Sequence, residues 1–103
     1  MEFQIQNINE SINSLMRKIG YKPAYFQNAG ETSIVRQIGR NDYPRFHLYI
    51  VQRGTDMIFK LHLDQKKPSY DLPAQAGGYH AHSGDYDGPV VESEAERIKR
   101  LVQ

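Results

Sequence analysis

The chain contains no cysteine. That excludes a disulfide framework, thiolate metal ligands and a thiol nucleophile. A metal site in this chain has to be built from imidazole and carboxylate, which suit Zn²⁺ or Mn²⁺. No apolar run approaches the ~20 residues that a membrane-spanning helix needs. The opening residues Met1 to Gln4 lack a basic region followed by an apolar stretch, so no signal peptide is expected. The expected location is the cytoplasm, with no membrane partner. Asn9-Glu10-Ser11 matches a glycosylation sequon, but such triplets are common by chance. Net charge is +1 over 103 residues, so nucleic-acid binding would have to come from local patches. Phosphate-cradling glycine motifs are missing too. Gly77-Gly78 is too little for a Walker or dinucleotide loop, and no serine sits in a recognisable nucleophile elbow.

What is present centres on Arg45 to Asp64. Two runs rich in β-branched and aromatic residues flank Gly54, the signature of a β-hairpin. Gly54-Thr55 suits a two-residue type II′ turn, which takes glycine first. That turn pairs Arg53 with Asp56, Val51 with Ile58, Tyr49 with Lys60 and His47 with His62. Side chains alternate across a strand, so the hairpin has two unlike faces. One carries Phe46, Leu48, Ile50, Met57, Phe59, Leu61 and Leu63 and is core. The other carries Arg45, His47, Tyr49, Val51, Ile58, Lys60, His62 and Asp64.

Around the hairpin, residues 7 to 19 read as an amphipathic helix with the stripe Ile8, Ile12, Leu15, Met16 and Ile19. Asn7 and Glu10 resemble a capping box, and Gly20 closes the helix. Met1, Phe3 and Ile5 alternate with polar residues, as a short leading strand would. Tyr21 to Gln27 and Thr32 to Ile38 are further strand candidates, the second with its facing unresolved by the pattern. Residues 65 to 88 hold Gly, Pro, Ser, Asp and His with almost no aliphatics, and read as a long polar loop ordered against the hairpin. Pro89 then opens a second helix with the stripe Val91, Ala95, Ile98 and Val102. The expected fold is a single α+β domain over residues 1–103. It is a two-layer sandwich, an antiparallel meander of three or four strands with the N-terminal and C-terminal helices packed on one face.

All four histidines fall in one prospective site. His47 and His62 are opposed, with Cα atoms ~5.5 Å apart in this register. Asp64 shares their face, and His80 and His82 lie in the loop. The expected metal ligands are His47, His62, Asp64, His80 and His82. The expected ligand-binding set is Arg45, His47, Tyr49, Lys60 and His62. It serves a binding domain for an anionic ligand, phosphate-bearing or nucleic acid, with or without a metal ion. A second reading is a small His-dependent or metal-dependent phosphodiesterase or nuclease, with His47 and His62 as acid and base candidates and cations stabilising developing charge. In a third, the open face binds single-stranded nucleic acid, Tyr49 stacking on a base and Arg36, Arg45, Lys60, Lys66 and Lys67 reaching phosphates. A protein-interaction module with structural histidines stands beside these. The residue pattern leaves open whether the chain is an enzyme and what its oligomeric state is.

Overall fold

The computed structural model describes residues 1–24, 30–65, 84–85 and 87–102. The hairpin forms as the alternation dictates. Strands β4 (Arg45–Arg53) and β5 (Asp56–Asp64) pair with Arg53 opposite Asp56, Tyr49 opposite Lys60 and His47 opposite His62. Gly54 has φ 63° while Thr55 has no positive φ, the combination that distinguishes type II′ from type I′. Phe46, Leu48, Ile50, Met57, Phe59, Leu61 and Leu63 are all buried.

The other strands are β1 (Glu2–Ile5), β2 (Lys22–Pro23), β3 (Thr32–Gln37) and β6 (Gly84–Asp85). The antiparallel sheet runs β1-β5-β4-β3-β2, with β6 also paired to β5. Five strands on one path replace the three or four expected. β1 falls on the short leading strand read from Met1, Phe3 and Ile5, and β2 on the Tyr21 to Gln27 candidate, so both candidates join the sheet and raise the count. β1 and β6 divide one edge of β5: β1 takes Met57 to Lys60 and β6 takes Leu63 and Asp64. Between them the Met1 ammonium donates to the Leu61 carbonyl at 2.8 Å, and Leu61 N–H donates to the Met1 carbonyl at 2.7 Å.

Helix α1 (Ile12–Ile19) starts later than the apolar stripe suggested. Asn7 cannot cap it, because its φ of 60° is not a capping conformation. Asn7 and Ile8 instead donate their N–H groups to Asp56 Oδ1 (3.2 Å) and the Thr55 carbonyl (2.7 Å), which pins this segment to the hairpin turn. Ser11 is the cap, its Oγ accepting from Ser14 N–H at 3.1 Å. Glu10 pairs with Lys18 at 2.6 Å rather than closing a capping box. Gly20 ends the helix in the left-handed region at φ 84°, its N–H donating to the Met16 and Arg17 carbonyls. Helix α2 (Pro89–Val102) starts at Pro89 as expected, with Glu92 in its first turn and Lys99 and Arg100 in its last. Among the described residues, no helix is long and apolar enough to cross a membrane.

One apolar cluster draws together Leu15 and Ile19 of α1, Val91, Ala95 and Ile98 of α2, and the apolar side of β3, β4 and β5. β3 settles its own facing through register. Ile34 lies opposite Leu48 and Arg36 opposite Phe46, so both share the core face. Ser33, Val35 and Gln37 lie opposite Tyr49, His47 and Arg45 and share the histidine face. Arg36 is answered there by Glu94 of α2, 3.3 Å away. Of the expected strand from Tyr21 to Gln27, Lys22 and Pro23 pair with β3; residues 25–29 lie outside the described residues. So do residues 66–83, which takes in most of the expected loop with His80, His82, Lys66 and Lys67.

Candidate metal centre

Strand pairing alone brings the first three side chains together. His47 and His62 face each other across β4 and β5, and Asp64 stands two residues beyond His62 on the same face. His47 Nδ1 is 3.4 Å from Asp64 Oδ2, and His62 Nε2 is 2.9 Å from Asp64 Oδ1. The three donor atoms lie within 4.8 Å of one another. The imidazole centroids are 5.0 Å apart. Tyr49 stacks on His47 at 4.3 Å, so one face of each ring is already in use.

The centre of this face is largely withdrawn from solvent, where the sequence left either an open face or one covered by the long loop. The side chains of His47, His62 and Asp64 are only 14%, 11% and 6% exposed. Ser33 and Val35 beside them are buried as well. Burial by itself would raise the Asp64 carboxyl. The attraction of the two imidazoles beside it outweighs burial and holds the group well below the usual carboxylate range. Asp64 Oδ1 has the His62 Nε2 contact at 2.9 Å as a charge contact, and among the described residues no hydrogen bond of good geometry reaches that buried oxygen.

Ser33 completes the cluster from β3, its Oγ 2.6 Å from His47 Nε2. The sequence reading missed it because the facing of β3 was ambiguous. The β3–β4 register, had it been legible, places Ser33 opposite Tyr49 and one step from His47. Ser33, His47 and Asp64 follow the order of a nucleophile, base and orienting carboxylate. Two facts weigh against that use: Ser33 is 3% exposed, and the His47–Asp64 separation of 3.4 Å is longer than a good hydrogen bond.

Of the remaining expected residues, Arg45 lies opposite Asp64 on the histidine face. Its guanidinium carbon is 4.5 Å from the centre of the Tyr43 ring, and its Nε is buried without a hydrogen-bond partner. Lys60 is exposed and 3.8 Å from Glu31. Arg36, expected to reach phosphates, points to the core face instead and is engaged by Glu94. His80 and His82 fall outside the described residues. No family model, no curated protein and no solved structure matches this chain.

Proposed function

We propose that this chain is a small metal-binding domain. In this reading both helices cover the apolar face of the sheet as a second layer. The other face holds one divalent ion on His47, His62 and Asp64, and through that ion an anionic, phosphate-bearing ligand. The observation that carries the reading is the convergence of two imidazoles and a carboxylate, from adjacent strands, within 4.8 Å. Tetrahedral zinc with bonds of ~2.0–2.1 Å sets its donor atoms about 3.3 Å apart. The two contacts to Asp64 are 3.4 and 2.9 Å. The nitrogens therefore need to close by at most about 1.5 Å.

Asp64 also decides between an ion and a free anion. Two opposed histidines on their own would attract an anion when protonated. The carboxylate beneath them already supplies that negative charge, and it would repel an incoming anion. A cation reverses the balance: it takes neutral imidazole nitrogens and the carboxylate together, the donor set that suits Zn²⁺ or Mn²⁺. Phosphate then reaches the site as a further ligand of the ion, with Arg45 and Lys60 adding charge from the same face. A compact phosphate-bearing ligand fits better than a nucleic-acid strand. Arg36 is spent on Glu94, and one face of Tyr49 is spent on His47.

The test is titration with Zn²⁺ and with Mn²⁺, followed by calorimetry and by thermal melting with and without chelator. Free metal at 100 times Kd stabilises by about 2.7 kcal/mol. For a domain of this size that raises Tm by roughly 10 °C or more. His47→Ala and Asp64→Asn should each weaken binding. Absence of a chelator-reversible shift with either ion, or binding by both variants equal to the parent, refutes the metal reading. Inorganic phosphate should bind the metal-loaded protein more tightly than the metal-free one; the opposite order favours direct anion binding.

A further inference from the structure

His47 is held at both ends of its ring. Nδ1 faces Asp64 Oδ2 at 3.4 Å, and Nε2 faces Ser33 Oγ at 2.6 Å. A neutral imidazole has one ring proton, so one nitrogen donates and the other accepts. The two ends face different partners, so the position of that proton decides what the ring can bind.

Without metal, the Asp64 carboxylate favours the proton on Nδ1. Nε2 is then bare, and the Ser33 hydroxyl donates to it. A metal ion shared with His62 and Asp64 needs the Nδ1 lone pair. The ring then carries its proton on Nε2, and the same Ser33 oxygen has to accept it. The ring loses no net proton: one leaves Nδ1 for water and one reaches Nε2 from water. Only a group that is both donor and acceptor serves the two states without moving. A hydroxyl does this by rotating about its own bond. A carbonyl or carboxylate there would lock the metal-ready tautomer, and an N–H donor would lock the other. Ser33 is 3% exposed, so bulk water is poorly placed to substitute for it.

We infer that Ser33 is the positioning residue of the metal centre, a two-way hydrogen-bond partner that carries His47 from its Nδ1–H form to its Nε2–H form when the ion binds. This rests on the metal reading above. Partners on the outer nitrogen of a ligating histidine commonly contribute 10- to 100-fold in metal affinity.

The experiment uses full-length protein labelled with ¹⁵N-histidine, at a pH above the ordinary histidine range. Ring nitrogens are read by long-range ¹H–¹⁵N correlation with and without Zn²⁺. The expected result is Nδ1–H on His47 without metal and Nε2–H with zinc. Ser33→Ala should bind Zn²⁺ roughly tenfold more weakly or worse, and Ser33→Thr, which restores the hydroxyl, should return close to the parent. A purely packing role for Ser33 would move stability but not the tautomer. If Ser33→Ala does not fold, the tautomer change in the parent and the affinity of Ser33→Thr decide the matter. Zinc-loaded protein with Nδ1 still protonated overturns the inference, as does Ser33→Ala with parental affinity. Both of those outcomes leave the metal site standing. A parent that binds no zinc removes the metal reading and this inference with it.

Discussion

Replacing Glu94 tests how the two helices are tied to β3. Its carboxylate is 3% exposed and accepts from the Tyr21 hydroxyl at 2.6 Å, Arg97 Nε at 2.8 Å, Arg97 Nη2 at 2.9 Å and Arg36 Nη1 at 3.3 Å. Arg97 Nη2 also donates to the Ile19 carbonyl at the end of α1. One side chain of α2 thus joins the end of α1, the following Tyr21 and β3. Glu94→Ala removes the carboxylate that accepts from the buried Tyr21 hydroxyl, a loss of ~1–3 kcal/mol if that hydroxyl stays unsatisfied. Breaking a fully buried ion pair costs roughly 3–5 kcal/mol. That figure needs a discount here, because the Arg97 and Arg36 side chains are 29% and 35% exposed and regain water. The sum points to about 2–4 kcal/mol, a large part of the ~5–15 kcal/mol typical of a domain. Urea unfolding at neutral pH measures it. Glu96→Ala is the control: Glu96 is 66% exposed and lies 3.5 Å from Lys99, so its loss should stay within about 0.5 kcal/mol. If Glu94→Ala is as harmless as Glu96→Ala, the network does not hold the helices and the reasoning fails.

Two further predictions concern the same core. Burial first, then the charge and hydrogen bond of Glu94, raises the Tyr21 hydroxyl far above the ordinary tyrosine range. Its contribution is therefore complete below the unfolded value of about 10 and is lost as pH rises beyond it, at about 1.4 kcal/mol per pH unit. Urea midpoints followed into alkaline solution should fall more steeply for the parent than for Tyr21→Phe; parallel curves would show that Tyr21 ionises freely in the fold. Leu61 is 1% exposed in the middle of β5, so Leu61→Ala should cost ~2–5 kcal/mol in the same assay, and a change below about 1 kcal/mol would contradict its place in the core.

The hairpin was legible because β4 and β5 are long, alternate cleanly and meet at a glycine whose turn type fixes the register. His47 opposite His62 followed from that register, and Asp64 from its place two residues on. β3 was read as a strand, but its facing was not legible because its core face carries a charge. Arg36 breaks the apolar alternation, and the group that answers it, Glu94, is 58 residues away. A pattern rule sees the arginine but not its partner, so the facing of Ser33 and Val35 stayed hidden along with it. The start of α1 failed for a related reason. Asn7 and Glu10 have the spacing of a capping box, but the N–H groups of Asn7 and Ile8 are taken by the hairpin turn, and the helix waits for Ser11.

The histidine face also bears on why such a cluster would be kept. Val35 is 1% exposed on that face, so the second side of the sheet has an interior of its own. An interior there could be made of apolar side chains, and a well-packed apolar replacement for buried charged groups is often neutral or stabilising. Two imidazoles, a carboxylate and a hydroxyl are a costly way to fill the space, and the cost is not fully met. Asp64 Oδ1 is buried without a hydrogen bond, and His47 stands 3.4 Å from the carboxylate that should attract it. The buried carboxylate of Glu94 provides the comparison. It accepts four hydrogen bonds, with two guanidinium groups against it, as a group whose task is to hold the fold would. Asp64 has charge partners at workable distances and an acceptor to spare. That difference between two buried carboxylates of one small chain is what an ion between His47, His62 and Asp64 would account for.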